Sequence, residues 1–519
     1  MADASIALNR FGLGARPDES IPSDPKRWLK GQLDSFEPKP PAFASVPTRE
    51  KVAGELADFY DQQRQLRQQG LGRRQLANAT TPMPGGPQAS QPAAPAPQMQ
   101  PGGPAMPMVP MPGAKPDPAA GDPLMAARRF VGGQVRDDYA TAVGARLTAA
   151  LTSPTPFADR LAHFWANHFA VSADKLEVIG LSGLLEFEAI RPNMMGTFRD
   201  MLNAVERHPA MLLYLDQAVS IGPDSMAGQL ASRRPRANGK GPGLNENLAR
   251  EIMELHTLGV RSGYTQADVT EFARALTGWT VKGIGRGPGA RLAGIDDGSP
   301  GEFAFAPRLH EPGERTIIGV RYAQDGEKQA QAVLDTLATS PATAQHIATK
   351  LARHFAGDTP PPALVARLKA NFLKTGGDLP ALYRVLIDSP ECWVAGPVKF
   401  KSPWEWTVST GRALGMKQML PLAAVGLLNQ LGQPTWKPGS PAGYDDIAAS
   451  WAGPDALLRR VEASERFATR SGAAIDARAL APTLFPGALT PATEQALARA
   501  ESPGQALALL LVSPEMLRR

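Results

Sequence analysis

Cysteine is almost absent from the sequence, because Cys392 is the only one among 519 residues. A single thiol excludes an intramolecular disulfide and any metal site built from several cysteines. Apolar residues make up 43% of the chain. We therefore expect burial of apolar side chains to stabilise the fold.

Long hydrophobic runs are also missing. No window approaches the roughly 20 apolar residues that a membrane-spanning helix needs. Residues 1–13 lack the charged region, apolar run and small-residue cleavage site of a secretory signal. The sequence predicts a protein without a membrane segment, with the cytoplasm as its default location.

The charge excess is small, at 55 Lys and Arg against 50 Asp and Glu, or +5 overall. A nucleic-acid-binding protein needs its basic residues concentrated on one face. The only local basic run begins at Arg233 and Arg234 among Gly and Pro, which indicates a solvated loop. We predict no nucleic-acid binding. The signatures of serine hydrolases and kinases are absent as well.

Biased composition divides the chain. Residues 81–122 are almost only Pro, Gly, Ala, Gln and Met, with too few bulky apolar side chains to form a core. We predict a disordered insert at 81–123, preceded by an N-terminal helical segment at 1–80 that packs on a main helical domain at 124–519. The predicted fold class is all-α.

Two local patterns refine this prediction. Four Ser-Pro pairs follow apolar helical stretches, and each predicts a new helix with serine as N-cap and proline at the first helical position; they begin at Ser153, Ser340, Ser389 and Ser513. A small β-hairpin is predicted near 301–322. There Phe303 and Phe305 alternate with small residues, Pro312-Gly313 supplies a turn, and residues 316–320 are rich in β-branched side chains.

His168 is the first candidate functional residue. Projection of residues 157–170 at helical spacing places it in the middle of an apolar face, whereas His163 projects to the other side. A buried imidazole needs a partner for at least one nitrogen. His168 is therefore a core histidine bonded across the interior, a general base or a metal ligand.

Residues 245–279 predict helix, turn, helix, and the second helix opens with Thr265 and Asp268 in capping-box spacing. In the first helix Glu251 falls inside the apolar stripe, where a carboxylate needs a partner or a function. Asn247, Glu251 and Glu254 share one flank, so their oxygens could converge on a divalent metal or on an arginine.

His256 projects away from Glu251, which argues against one shared metal. Further candidate ligands are His310 and His354. His346 projects toward solvent together with Lys350 and Arg353.

Several motifs resemble the bacterial family catalogued as domain of unknown function eighteen hundred, and the resemblance covers nearly the whole chain. The motifs are residues 8–12 (LNRFG), 164–169 (FWANHF), 245–251 (NENLARE), 254–259 (ELHTLG), 275–279 (ALTGW), 400–403 (FKSP), 432–434 (GQP) and 441–443 (PAG). The resemblance implies no established activity. It implies a frequent genomic neighbour, a sulfatase-like domain that often carries an export signal.

Two departures from this family are visible. Many relatives begin with an export signal that is missing here, and Ala166 stands where a second histidine is common. The second departure argues against a dense histidine site. Joint export with the sulfatase-like neighbour would place the chain in the periplasm instead of the cytoplasm.

Two hypotheses about function follow. The first is a site with His168 and Glu251 as catalytic residues and a divalent metal bound by His168, Asn247, Glu251, Glu254 and His256. The second is a helical scaffold that binds a sulfatase-like partner protein, in which the same buried polar residues fix the register of the helices.

Overall fold

The computed structural model describes residues 2–69, 123–233, 243–284, 298–471 and 474–519. The predicted insert at 81–123 lies outside these ranges except for Pro123, which begins a helix. The basic run lies outside them beyond Arg233. Within the described ranges, no helix has the length and apolarity that crossing a bilayer requires.

Helices dominate the described residues, so the predicted all-α class is confirmed. The longer helices are α1 (Pro25–Asp34), α2 (Arg49–Gln68), α3 (Pro123–Thr152), α4 (Pro156–His168), α5 (Phe198–Glu206), α6 (Gln266–Leu276), α7 (Glu327–Ala338), α8 (Pro341–Ala356), α9 (Pro362–Thr375), α10 (Leu379–Asp388), α11 (Pro403–Ala413), α12 (Pro421–Gln430), α13 (Pro454–Ser471), α14 (Ala477–Leu484), α15 (Pro491–Ala498) and α16 (Pro503–Leu511).

Shorter elements connect them. The short α-helices are Ala2–Ile6, Leu176–Ile179, Ser182–Leu184, Arg191–Asn193, Pro209–Tyr214, Met226–Ser232, Asn247–Glu251 and Pro514–Leu517. The 3-10 helices are Pro41–Ser45, Gln217–Val219, Pro307–Leu309, Pro390–Trp393 and Ala448–Ser450. The strands are β1 (Trp279–Val281), β2 (Phe303–Phe305), β3 (Arg315–Ile317) and β4 (Val320–Tyr322).

The chain divides into two compact units. One comprises Met1–Gly54 and Gln134–Arg519, and the other comprises Glu55–Gly133. In the larger unit the helix pairs α8 and α9, α9 and α10, and α13 and α16 pack against each other. In the smaller unit the Phe59 and Tyr60 rings are in contact, with centroids 5.3 Å apart.

The predicted Ser-Pro caps have mixed outcomes. Ser340 caps α8 and Ser513 caps Pro514–Leu517, and each hydroxyl accepts a bond from a backbone N–H in the first turn. Ser389 precedes a 3-10 helix, but its hydroxyl donates back to Val385 O, so its side chain does not cap. Ser153 lies in the turn before α4, which begins only at Pro156. There its hydroxyl accepts a bond from the N–H of Thr155.

Replacement of Ser340 tests whether its hydroxyl stabilises α8 as an N-cap. We expect Ser340→Ala to lower the free energy of unfolding by about 1 kcal/mol, because the Thr343 N–H loses its acceptor. Ser340→Asn retains a capping oxygen and should lie close to the wild type. Urea unfolding measures both. Equal loss in the two variants would show that the cap oxygen is not responsible.

The predicted hairpin is present as β3 and β4, with Ile317 opposite Val320. Its turn is Ile318-Gly319, not Pro312-Gly313, and both turn residues have positive φ, at 49° and 74°. The Phe303–Phe305 segment pairs with Trp279–Val281 instead. A β-branched residue rarely adopts positive φ, so no turn was predictable at Ile318. The Ile318 N–H donates to the Asp268 carboxylate at 2.6 Å.

In the described ranges three π-helical segments interrupt the helices, at Ala7–Phe11, Leu185–Ile190 and Ile252–His256. Each contains a buried charged or ionisable side chain, namely Arg10, Glu186 and His256. Segments of π-helix are rare in proteins overall, and those that occur are often found at functional sites. Arg10 has a structural role, since its guanidinium donates to Cys392 O at 2.8 Å and to Val394 O at 2.9 Å.

Candidate functional site

Helix α4 is the centre of the candidate site. Its buried face carries Phe157, Leu161 and Trp165, as the helical period predicted. Trp165 donates its indole N–H to the Tyr383 hydroxyl at 2.6 Å, which fixes the helix against α10. His168 is 1% exposed at the end of this face, so its predicted burial is confirmed.

Both ring nitrogens of His168 have protein partners. Nε2 lies 3.1 Å from the carbonyl oxygen of His256, which can only accept, so Nε2 carries the proton. Nδ1 lies 2.9 Å from Lys350 Nζ and accepts from it. Burial, followed by the charge of Lys350, holds the pKa of His168 well below its usual range. His168 is thus a neutral acceptor.

His256 forms a second buried pair. Its Nδ1 lies 2.7 Å from the Glu206 carboxylate, and both side chains are fully enclosed. The His168 and His256 ring centroids are 6.3 Å apart. Helices α4, α5 and the Ile252–His256 segment therefore share one polar contact region. No sequence pattern pointed to Glu206, because a carboxylate at a helix end is usually solvated.

The other predicted metal ligands are Asn247, Glu251 and Glu254, and the structure records no hydrogen bond or ion pair between them and His168 or His256. Asn247 is exposed, and Glu254 is 3.7 Å from Arg250. Glu251 is half-buried, and burial raises the pKa of its carboxyl. Among the described residues no three His, Cys, Asp or Glu side chains are grouped so as to hold a metal ion. Metal binding by the predicted set stays a prediction.

Two further histidines from the sequence analysis have local partners. His310 Nδ1 lies 2.8 Å from Thr277 O. His346 does not face solvent as predicted: its Nε2 bonds Leu255 O at 3.0 Å, and its ring lies 6.0 Å from that of His168. Burial lowers the pKa of His346 to about 4.

A cavity of about 130 Å³ opens beside α4. Its wall combines α4 with the second half of α8, the start of α11 and residues 433–446. Lys350 and Arg353, which the sequence analysis placed in solvent, line it together with His163. Cavities of about 150 Å³ accept a molecule the size of benzene, so this one suits a small ligand.

Aromatic rings and a guanidinium form one side of the cavity. The Arg146 guanidinium lies 4.2 Å from the centre of the Trp404 ring and 5.2 Å from that of Trp436. Its Nε is 2.7 Å from the buried Glu186 carboxylate, to which the Trp436 indole also donates, at 3.0 Å. This arrangement fixes both indoles and keeps a positive charge behind them.

The backbone of Trp436 is strained. Its φ of 47° lies in the left-handed region, which bulky residues rarely adopt. The Ala173 N–H donates to its carbonyl at 2.9 Å, and its indole is held by Glu186. Strain of this kind persists only where the surroundings impose it, and it is concentrated at functional sites.

Asn167 fixes residues 433–446 to α4. Its amide donates to Tyr444 O and its carbonyl oxygen accepts from Tyr444 N, both at 2.8 Å. Gly443 packs so closely on Asn167 that a Cβ there would meet its backbone oxygen at 2.3 Å. The FWANHF and PAG motifs therefore meet at this cavity.

A chain of alternating charges forms the floor. Glu405 accepts from Arg160 and lies 2.8 Å from Arg519 Nε. Asp446 is 2.9 Å from His354 Nδ1 and 3.1 Å from Lys399 Nζ. Although burial raises the pKa of both carboxyls, neighbouring groups hold each pKa far below its usual range. These are Arg519 and Arg160 for Glu405, and the hydrogen bond from His354 with the charge of Lys399 for Asp446. Both carboxylates are thus fully paired.

The sequence profile of a family described as protein of unknown function (DUF1800) matches residues 6–518. The chain belongs to this family. No curated protein and no solved structure is significantly similar to it. In this DUF1800 chain the family resemblance and the geometry coincide, because the FKSP and GQP motifs both contribute residues to the cavity wall.

Proposed function

We propose that the cavity of this DUF1800 protein binds a small organic oxyanion, with Arg353 as its charged anchor. Arg353 carries the argument because it lines the cavity without a carboxylate partner among the described residues. Its Nε is enclosed and makes no hydrogen bond there. Arg353 is half-buried. A guanidinium that is partly removed from water without a counter-ion is destabilised, and a carboxylate or phosphate ligand would match its fork geometry.

The balance of charge supports an anionic ligand. The carboxylates Glu405 and Asp446 at the wall are already paired with cations. His163 also lines the cavity and accepts a bond from the Trp404 indole at 3.2 Å. Burial, followed by the charges of Arg146, Arg191 and Arg160, holds the pKa of His163 well below its usual range. Asp445 is the one lining carboxylate without a cation partner among the described residues, whereas Lys350 and Arg353 are two lining cations without a carboxylate partner there, which leaves an excess of positive charge at the cavity.

Calorimetric titration of the full chain with phosphate, sulfate, malonate and benzoate tests the proposal. We expect at least one of these anions to bind. Arg353→Gln should weaken that binding about tenfold or more, because a hydrogen bond to a charged group contributes roughly 1.5–3 kcal/mol. The rank of phosphate against malonate and benzoate separates a phosphoryl from a carboxylate ligand.

Arg199→Gln is the matched control, since Arg199 is half-exposed on α5 and distant in sequence from the cavity motifs. It should bind like the wild type. Equal affinity of the Arg353→Gln and wild-type proteins, or no heat with any of the four anions, would reject the proposal. Association with a sulfatase-like partner, and a cytoplasmic or co-exported periplasmic location, stay predictions.

A further inference from the structure

We propose that Lys350 is a nucleophile that forms a Schiff base with the carbonyl group of a small 2-oxo acid held in the cavity. This inference rests on the proposed oxyanion site, because the acid's carboxylate would be bound by Arg353. It adds a chemical activity and a substrate class to that site.

The surroundings of Lys350 are unusual for a lysine. Lys350 lines the cavity and is half-buried, and its Nζ is hydrogen-bonded to His168 Nδ1, at 2.9 Å. Within the described parts of the chain no carboxylate lies within ion-pair distance of it. Removal of an ammonium from water favours the free amine, and the more distant charge of Asp446 offsets this only in part. Burial accordingly lowers the pKa of Lys350 to about 8. Lysines desolvated in this way serve as nucleophiles toward carbonyl groups.

The spacing on α8 suits a 2-oxo acid. Lys350 and Arg353 are three residues apart on one helix, so their side chains emerge on the same face, and both line the cavity. A carboxylate bound to the Arg353 guanidinium places its adjacent carbonyl carbon toward the Lys350 amine. A simple aldehyde or ketone has no group for Arg353 to hold.

His168 can carry the proton that the reaction releases. Its Nε2–H is fixed on the His256 carbonyl, which leaves the Nδ1 lone pair directed at Lys350. The amine lone pair attacks the carbonyl carbon, the C=O π electrons move to oxygen, and the nitrogen proton passes to Nδ1. That proton passes on to the alkoxide and gives the carbinolamine hydroxyl. The second nitrogen proton then moves through Nδ1 to this hydroxyl, which leaves as water while the C=N bond forms. Amine and carbonyl thus give imine and water, with no oxidant or reductant.

Lys401 provides an internal comparison. It is 1% exposed, and burial lowers its pKa to about 7. Its amine donates to the Ser409 hydroxyl at 3.2 Å and does not line the cavity. If desolvation alone determined reactivity, Lys401 would react as readily as Lys350. Access from the cavity predicts that it does not.

Reductive trapping tests the inference on the full chain. The protein is incubated with pyruvate and sodium cyanoborohydride, and the adduct is located by intact mass and peptide mapping. We expect a single stoichiometric adduct on Lys350. The adduct should be absent from Lys350→Arg and unchanged in Lys374→Arg, a matched exposed lysine. The mapping of the wild-type protein is decisive even if Lys350→Arg fails to fold.

A second arm separates this inference from the proposed function. Acetaldehyde, which has no carboxylate, is trapped under the same conditions. We expect pyruvate to label Lys350 at least several times faster, and Arg353→Gln to remove that advantage without slowing acetaldehyde. Equal labelling of Lys350 by both compounds would reject the oxyanion site, but it would still support Lys350 as a nucleophile. Anion binding by calorimetry, with pyruvate fixed on no lysine or only on exposed ones, would overturn the role of Lys350.

Discussion

Acidification from about pH 7 to about pH 4 is expected to lower the free energy of unfolding by several kcal/mol, before most carboxylates titrate. The cause is a set of histidines that the fold keeps neutral. Burial is the largest influence on each, and their pKa values lie below the ordinary value; they are His163, His168, His208, His310, His346 and His354.

The sign follows from proton binding in the two states. Above the unfolded pKa of about 6.5 these histidines are neutral in both states and do not affect stability. Below it the unfolded chain binds protons that the folded chain excludes, so stability falls as the pH falls. The loss continues until the folded pKa is reached, which for His346 and His354 is about 4.

His354 shows the size of the effect. Its side chain is 12% exposed. A shift from the ordinary value of 6.5 to about 4 corresponds to about 3 kcal/mol, since each pKa unit is about 1.4 kcal/mol. Urea unfolding at several pH values between 7.5 and 4 measures the total. His354→Gln should show a shallower pH dependence in this window, and a wild-type stability that is flat across it would contradict the prediction.

Below this window a second loss should begin. Glu405 and Asp446 have pKa values far below those of unfolded carboxyls, so their contribution is complete above about pH 4 and is lost as the pH falls further. The two processes have opposite chemical origins. Histidines resist gaining charge in the fold, whereas these carboxylates resist losing it. A two-stage acid transition would distinguish them.

Local sequence signals predicted much of the helical framework. The box formed by Thr265 and Asp268 caps α6. This motif succeeds because the capping oxygen and the N–H it satisfies are only three residues apart. The predicted helix cap at Ser153 failed because its hydroxyl donates to a side chain farther along the chain, that of Asp159 on α4.

The π-helical segment at Ile252–His256 departs from the helical period on which the predicted separation of Glu251 and His256 rests, so that separation stays a prediction. The projection assumed an α-helix through this segment and placed His256 far from Glu251. A π-helix bonds residues five apart, and these two are five apart. Burial raises the pKa of the Glu251 carboxyl, and His256 is bonded to Glu206 instead. Periodicity alone gives no means of detecting the change of helix type.

The cavity could not be predicted from local signals. Arg160 and Glu405 are 245 residues apart in sequence, and Asn167 and Tyr444 are 277 apart. On sequence grounds Lys350 and Arg353 were expected to face solvent, because isolated charges on a helix usually face water. Only the fold shows that residues 433–446 cover that face. The family motifs marked both sides of the cavity without indicating that they meet.

Glu405→Gln is expected to lower the free energy of unfolding by about 3–5 kcal/mol, the usual cost of breaking a buried ion pair on one side. Glu405 faces two guanidiniums, those of Arg160 and Arg519, whose side chains are 3% and 0% exposed. The second carboxylate oxygen accepts from Ser402 N at 2.9 Å. Because a glutamine oxygen can still accept that bond, the substitution removes charge and leaves the cap of α11 in place.

A double-mutant cycle distinguishes charge from packing. If unpaired guanidinium charge is the cause, Arg519→Met should cost less in the Glu405→Gln background than in the wild type, with a coupling energy above about 1 kcal/mol. Glu465→Gln, at an exposed position on α13, should change stability by less than about 0.5 kcal/mol. A loss of that small size in Glu405→Gln, measured by urea unfolding, would contradict the buried charge network. The cavity floor would then need another source of stability, because Arg160 and Arg519 cannot remain buried and charged without a counter-ion.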